Sequence, residues 1–457
     1  MSSELSRREF LKRASALSMT GIAAPFALNL AAIGEAAAAT ATDYKAMVCV
    51  FLYGGNDYAN TLVPYDTASY NLYSSLRPAI ATVRDNLTPT VLNPTLSLAN
   101  SRQYALAPEL KDLVPIFNAG QMGVLLNIGT LVQPTSKTEY TAKSVPLPPK
   151  LFSHNDQQSV WQSSSPEGST KGWGGRIGDL FAASNGNATF TCVSAAGSAV
   201  YLSGNTAVPY QVSTSGSIAI NGIKSTLFGS TACANALRAS ITATSNHIYE
   251  AELATITKRS IDADVQLKAA LAGVSEFTTV YPTNNTLASQ LKMVAKMIAG
   301  RNALSAKRQV FFVSLGGFDT HDNILTDHPA LLTKVGTALN AFHSTMVELG
   351  ISDKVTAFTA SDFGRTLTTD GDGSDHGWGS MHFVLGGAVN GKNFYGKPPE
   401  IANNGPDDVG QGRLLPGISV DQLGATLATW FGVSNSELTT VLPNISNYSL
   451  KNLGFMM

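Results

Sequence analysis

The sequence predicts an α/β fold with a mostly parallel central sheet. Four short, nearly continuous apolar runs, at 45–53, 122–128, 309–315 and 354–360, have the length and residue types of strands buried on both faces. Stretches with helical spacing of apolar residues separate them, such as Leu110-Leu113-Val114-Phe117 and Leu291-Val294-Met297-Ile298. Three of the runs end in polar loops with an acid close behind: Asp57 after Gly54-Gly55, Asp319 after Gly316-Gly317, and Asp362 after Ser361. Open α/β sheets bind their ligands at those carboxyl ends.

The first residues are not part of that fold. Ser6-Arg7-Arg8-Glu9-Phe10-Leu11-Lys12 has the form of a twin-arginine export signal, followed by a mildly apolar stretch and the small residues Ala36–Ala39. Residues 1–39 are therefore expected to be a signal peptide read by the twin-arginine translocase. The mature chain, 40–457, is expected to be periplasmic or secreted. That route carries folded proteins, which suits a metalloprotein without requiring one. No later segment is long and apolar enough for a permanent membrane span.

The formal net charge of −1 gives no reason to expect a nucleic-acid partner. Of three cysteines, Cys49 lies inside the first apolar run, and Cys192 and Cys233 are free to pair or not. The first strand is expected over 45–53 and the second over 122–128, with a helix over 109–118 between them. A long proline-marked loop then leads to Ser153, a good helix N-cap. A hydroxyl there is equally well placed as a nucleophile on an anionic ester, since helix N-termini favour negative charge. Gly172-Trp173-Gly174 opens another helix. Residues 185–285 hold short strands with Gly/Ser turns, then a strongly helical stretch from 232 to 271, and read as an inserted α+β cap.

The stretch 359–387 concentrates the chemistry. It delivers Ser361, Asp362 and Arg365, then Asp370, Asp372 and Asp375, then His376 and His382, ahead of a further apolar run. Taken with Asp57, Asp319 and His321, these carboxylates and imidazoles are the ligand types of Zn²⁺, Mn²⁺, Ca²⁺ or Fe. Two such ions would clamp the attacking and leaving oxygens of a phosphate or sulfate ester. Arg365 could hold an oxyanion bidentately or pair with a loop aspartate. A Gly-x-Ser-x-Gly nucleophile elbow is absent.

The motifs GGND…NTLVP at 54–64, SHNDQQ…W at 153–161, GWGGR at 172–176, GFDTHDN at 317–323, SDFGRT at 361–366 and DHGWGSMHFVLGGAV at 375–389 resemble those of a bacterial family, the domain of unknown function numbered 1501. The order of groups also resembles the alkaline phosphatase superfamily, which includes sulfatases. That resemblance implies a three-layer αβα sandwich and a metal-dependent hydrolase of a small-molecule or polysaccharide ester. It implies Ser153 as nucleophile and Asp57, Asp319, His321, Asp362 and either His376 or His382 as metal ligands. Phe363 stands where the superfamily places a histidine, so the alternative is a catalytically inactive binding protein of the same fold.

Overall fold

The computed structural model describes residues 41–457, so the expected signal peptide lies outside the described residues. Its strands are β1 (Lys45–Leu52), β2 (Leu62–Pro64), β3 (Tyr104–Leu106), β4 (Met122–Gly129), β5 (Cys192–Ser194), β6 (Tyr210–Ser213), β7 (Gly216–Ser217), β8 (Arg308–Leu315), β9 (Val355–Ser361), β10 (Ser380–Leu385), β11 (Asn393–Tyr395) and β12 (Ile418–Ser419). Ten of them form one sheet in the order β11-β4-β10-β9-β1-β8-β5-β6-β7, with β12 also on β4. β1 runs parallel to β8 and β9, and β5 runs parallel to β8. β10 is antiparallel to both β9 and β4. β4 therefore runs the same way as β1, and the carboxyl ends of β4, β9, β1 and β8 share one edge.

Both faces of the sheet are apolar, as the unbroken hydrophobic runs require. In β1, Ala46, Val48, Val50 and Leu52 enter one core, while Met47, Cys49 and Phe51 enter the other. The first core is closed by the helices Thr286–Ala299 and Ile324–Glu348, through Leu291, Val294, Leu339 and Phe342. The second is closed by Trp173–Phe181 and Val420–Phe431, through Ile177, Phe181, Leu423 and Leu427. The result is a three-layer α/β sandwich with a mostly parallel sheet.

Residues 185–285 differ from a simple inserted cap. Cys192 aligns with Val310, and β5 and β6 extend the central sheet beyond β8. The helical stretch that follows breaks into Thr231–Ile241 and Ile248–Ala272. Cys192 is buried and Cys233 is exposed, and both thiols are free. Among the described residues, no helix is long and apolar enough to cross a membrane.

Candidate metal centre

The loops after β1, β8 and β9 meet because a glycine lets them. Gly54 has φ +116°, and a Cβ there would lie 2.3 Å from the backbone nitrogen of Asp319. Its own N–H donates to Asp362 Oδ2 at 3.1 Å. One residue without a side chain thus ties the three acidic strand ends together.

Above this junction five side chains converge, His154, Asp319, His321, Asp375 and His376. His154 Nε2 lies 3.1 Å from His376 Nε2 and 3.4 Å from Asp319 Oδ2. His321 Nε2 lies 3.0 Å from His376 Nε2 and 3.0 Å from Asp319 Oδ1. Two overlapping ligand groups result, His154–Asp319–His376 and His321–Asp375–His376.

The protons of two of these rings are committed elsewhere. His154 Nδ1 is 2.6 Å from the buried Asp362 carboxylate, and His376 Nδ1 is 2.8 Å from the Phe152 carbonyl. Both partners only accept, so each Nδ1 carries hydrogen. In the neutral rings both Nε2 lone pairs then face each other at 3.1 Å. Such a contact is favourable only around a cation, a metal ion or an added proton. A carboxylate or carbonyl behind a ligating imidazole is the usual support of a metal-bound histidine. Ligand atoms tetrahedral around Zn²⁺ at 2.0–2.1 Å would lie roughly 3.3 Å apart, close to the separations found here. Asp362 Oδ1 adds a second sign, being a buried carboxylate oxygen without any partner.

Charge around the cluster is divided. The hydrogen bond to Asp362 raises the His154 imidazole above its ordinary pKa, while burial lowers that of His376. Burial works to raise the Asp319 carboxyl, but the hydrogen bond and charge of Arg365, with the two neighbouring histidines, hold it below the carboxylate range.

The structure sorts the residues expected at the site. Asp319, His321 and His376 meet in the cluster. Asp362 stands behind it, accepting on Oδ2 from Gly54, His154 and, at 2.9 Å, Gln158 Nε2. Asp57 is not brought to the cluster. Both its oxygens are taken by Arg77, one at 2.7 Å, with further donors from the Asn60 N–H and the Ser374 hydroxyl. His382 is also elsewhere: it is buried on β10 with Nδ1 3.1 Å from Thr359 Oγ1 and its ring edge-on to Trp161.

Arg365 is fully buried and offers no free fork. Nη1 donates to Asp319 Oδ1 at 2.7 Å and to the Gly54 carbonyl at 3.0 Å, while Nε donates to the Ser374 carbonyl at 2.9 Å. Ser153 caps the helix His154–Ser163 by position only. Its hydroxyl makes no bond to the helix N–H groups and donates instead to Asp156 Oδ2 at 2.9 Å. Ser136 has the same spacing to Glu139 and there completes both arms of a capping box. Phe363 is buried with its ring 4.8 Å from the rings of both His154 and His376.

Sequence reasoning misses His154, although it directly follows the serine singled out. The available signal was an imidazole at the first turn of a helix on the ligand-binding edge. It also misses Arg77, twenty residues from Asp57, whose pairing is purely tertiary.

Fold and cluster together define an α/β protein with a histidine–carboxylate cluster, a candidate cation site, at the carboxyl edge of its sheet. The chain belongs to the family described as "Protein of unknown function (DUF1501)", which matches residues 44–442. No curated protein matches it. Among solved structures it is similar to the PsFucS1 sulfatase from Pseudoalteromonas sp. (TM-score 0.37, 10% identity, covering 91% of this chain and 73% of that one). It is also similar to the lipoteichoic acid synthase LtaP from Listeria monocytogenes (0.33, 10%, 87% and 74%). A third is an alkaline phosphatase from the Antarctic bacterium TAB5 (0.27, 10%, 76% and 92%). All three scores are below 0.5, so the reading of the site rests on this chain's own geometry.

Proposed function

We propose that the chain is an exported, metal-dependent hydrolase of phosphate or sulfate esters that works with a single divalent ion. The observation that carries this reading is the 3.1 Å approach of two imidazole Nε2 atoms, each ring backed by an acceptor on its other nitrogen. His154, His376 and Asp319 Oδ2 would hold the ion. One ion fits better than two for three reasons. His376 has a single free nitrogen to share between the two ligand groups. Asp319 Oδ1 already faces the Arg365 guanidinium. Asp57, the acid a second ion would need, is neutralised by Arg77.

When bound, the ion supplies Lewis-acid polarisation of an ester oxygen. The chain's own groups do the rest. Ser153 Oγ, one residue from His154, donates to Asp156 and is not spent on capping; Asp156 would take its proton as Oγ bonds to phosphorus or sulfur and the bond to the leaving ester oxygen breaks, that oxygen taking a proton from water. The N–H groups of the first turn behind it favour an anionic substrate. Arg365 and Asp362 position Asp319 and His154.

Metal analysis of the exported protein, with aryl phosphate and aryl sulfate turnover, tests the reading. About one equivalent of Zn²⁺, Mn²⁺, Ca²⁺ or Fe with turnover that Ser153→Ala abolishes is expected. No bound ion and no turnover would overturn it. A binding protein of the same fold is the second reading, favoured by Phe363, whose apolar ring occupies space beside two candidate ligands.

A further inference from the structure

A pair of cavities lies where the segment 213–238 meets the helix Ile248–Ala272. The two cavities, of about 260 and 770 Å³, share Ile218, Ala219, Lys224 and Lys268 as a common wall. The smaller has an aliphatic lining from Ile220, Ile223, Ile261 and Val265, with Arg238 at its margin. The larger is lined by Ser213, Ser215, Ser217 and Asn221.

Around the smaller cavity stand three cations, Lys224, Arg238 and Lys268, against one carboxylate, Asp264. Lys268 pairs with Asp264 at 2.6 Å, and the same carboxylate accepts the Ser217 hydroxyl. Among the described residues neither Lys224 nor Arg238 has a carboxylate within ion-pairing distance. Beside these cations Ile218 and Val265 remain 58% and 57% exposed. Scattered exposed aliphatics need no explanation, but a run of them lining a concavity beside unpaired cations does.

We propose that this concavity binds a single-chain acidic amphiphile, with its alkyl chain against Ile218, Ile220, Ile223 and Val265 and its anionic head at Lys224 and Arg238. Charge complementarity selects the occupant: a neutral chain would leave the cations unmatched, and a plain anion would leave the aliphatic wall wet. Asp264 also acts on Lys224 through space, but its two oxygens are bonded to Lys268 and Ser217. The reading is independent of the metal centre, which is built from other segments.

Calorimetric titration of the full exported chain with decyl phosphate tests it, with inorganic phosphate and decyl maltoside as separate arms. Saturable one-to-one binding of decyl phosphate is expected, at least tenfold tighter than either control. Lys224→Gln with Arg238→Gln should weaken it tenfold or more while leaving thermal unfolding unchanged. Ile223→Ser should weaken it through the chain alone, with phosphate binding unaffected. Absence of decyl phosphate binding would overturn the proposal. So would equal binding of inorganic phosphate, equal binding of decyl maltoside, or wild-type affinity in the Lys224/Arg238 variant.

Discussion

Asp362→Asn separates a supporting carboxylate from a ligand. In the wild-type chain Asp362 Oδ2 holds His154 Nδ1 at 2.6 Å, with Gly54 and Gln158 donating to the same oxygen. The amide keeps the size and one acceptor but removes the charge, and it can present an N–H to the ring where an acceptor is required. His154 then loses the partner that fixes its tautomer and raises its basicity. Loss of such support typically costs about 10–100-fold in ion affinity, or about 1.4–2.7 kcal/mol. Removal of a ligand, as in His376→Ala, should cost more than that. The assay is competition for Zn²⁺ against a chromophoric chelator, with circular dichroism confirming that each variant is folded. Wild-type Zn²⁺ affinity in Asp362→Asn would refute the assignment of the carboxylate–histidine pair. Loss as complete as that of His376→Ala would make Asp362 itself a ligand.

Further predictions concern what holds the site in place. Arg77→Met leaves Asp57 charged and unpaired in a fully buried position, which should cost about 3–5 kcal/mol in urea unfolding at neutral pH. Burial works to raise the Asp57 carboxyl, but Arg77 more than offsets this and holds it well below the usual range. The stability it contributes is therefore present above the unfolded value of about 3.9 and lost as pH falls below it, and the acid unfolding limb should shrink in Asp57→Asn. Three buried histidines act higher on the scale. Burial lowers His328 and His343 to about 4 and His382 to about 3. Below about pH 6.5 the unfolded chain binds protons that the folded chain refuses, so stability should fall with acidification, by up to about 1.4 kcal/mol per pH unit for each. A flat unfolding free energy from pH 7 to 5 would contradict this, and His382→Phe should reduce the slope. Gly54→Ala forces a Cβ onto the Asp319 backbone at positive φ, and should lower both the melting temperature and Zn²⁺ affinity.

Strand positions were legible because a strand buried on both faces leaves an unbroken apolar run. Lys45–Leu52 and Arg308–Leu315 fall within a residue or two of expectation. Asp319 and His321 were legible as polar groups just beyond such a run, and His376 as an imidazole shortly before the next one. What a side chain does there was less so. Asp57 reads as a ligand until Arg77 is placed against it, and no local pattern links residues twenty apart with an intervening helix. His382 illustrates parity. It shares its face of β10 with Val384, which packs in the second core, whereas Met381 and Phe383 face the first. Its period-two position was visible, but not that this face lies under Trp161. Within 185–285 the short strands were legible, but not that β5 joins the central sheet beside β8, because a three-residue strand carries no signal of its partner.

The partners in the cluster come from distant parts of the chain, with 222 residues separating His154 from His376. An unfolded chain cannot gather them, so an ion that binds there binds the native state almost alone. Occupancy then becomes a thermodynamic latch on folding. At a free ion concentration one hundred times the dissociation constant it would add about 2.7 kcal/mol to stability. Chelation should therefore lower the melting temperature. In a compartment where the ion is scarce, the lifetime of the folded chain would follow its ion supply.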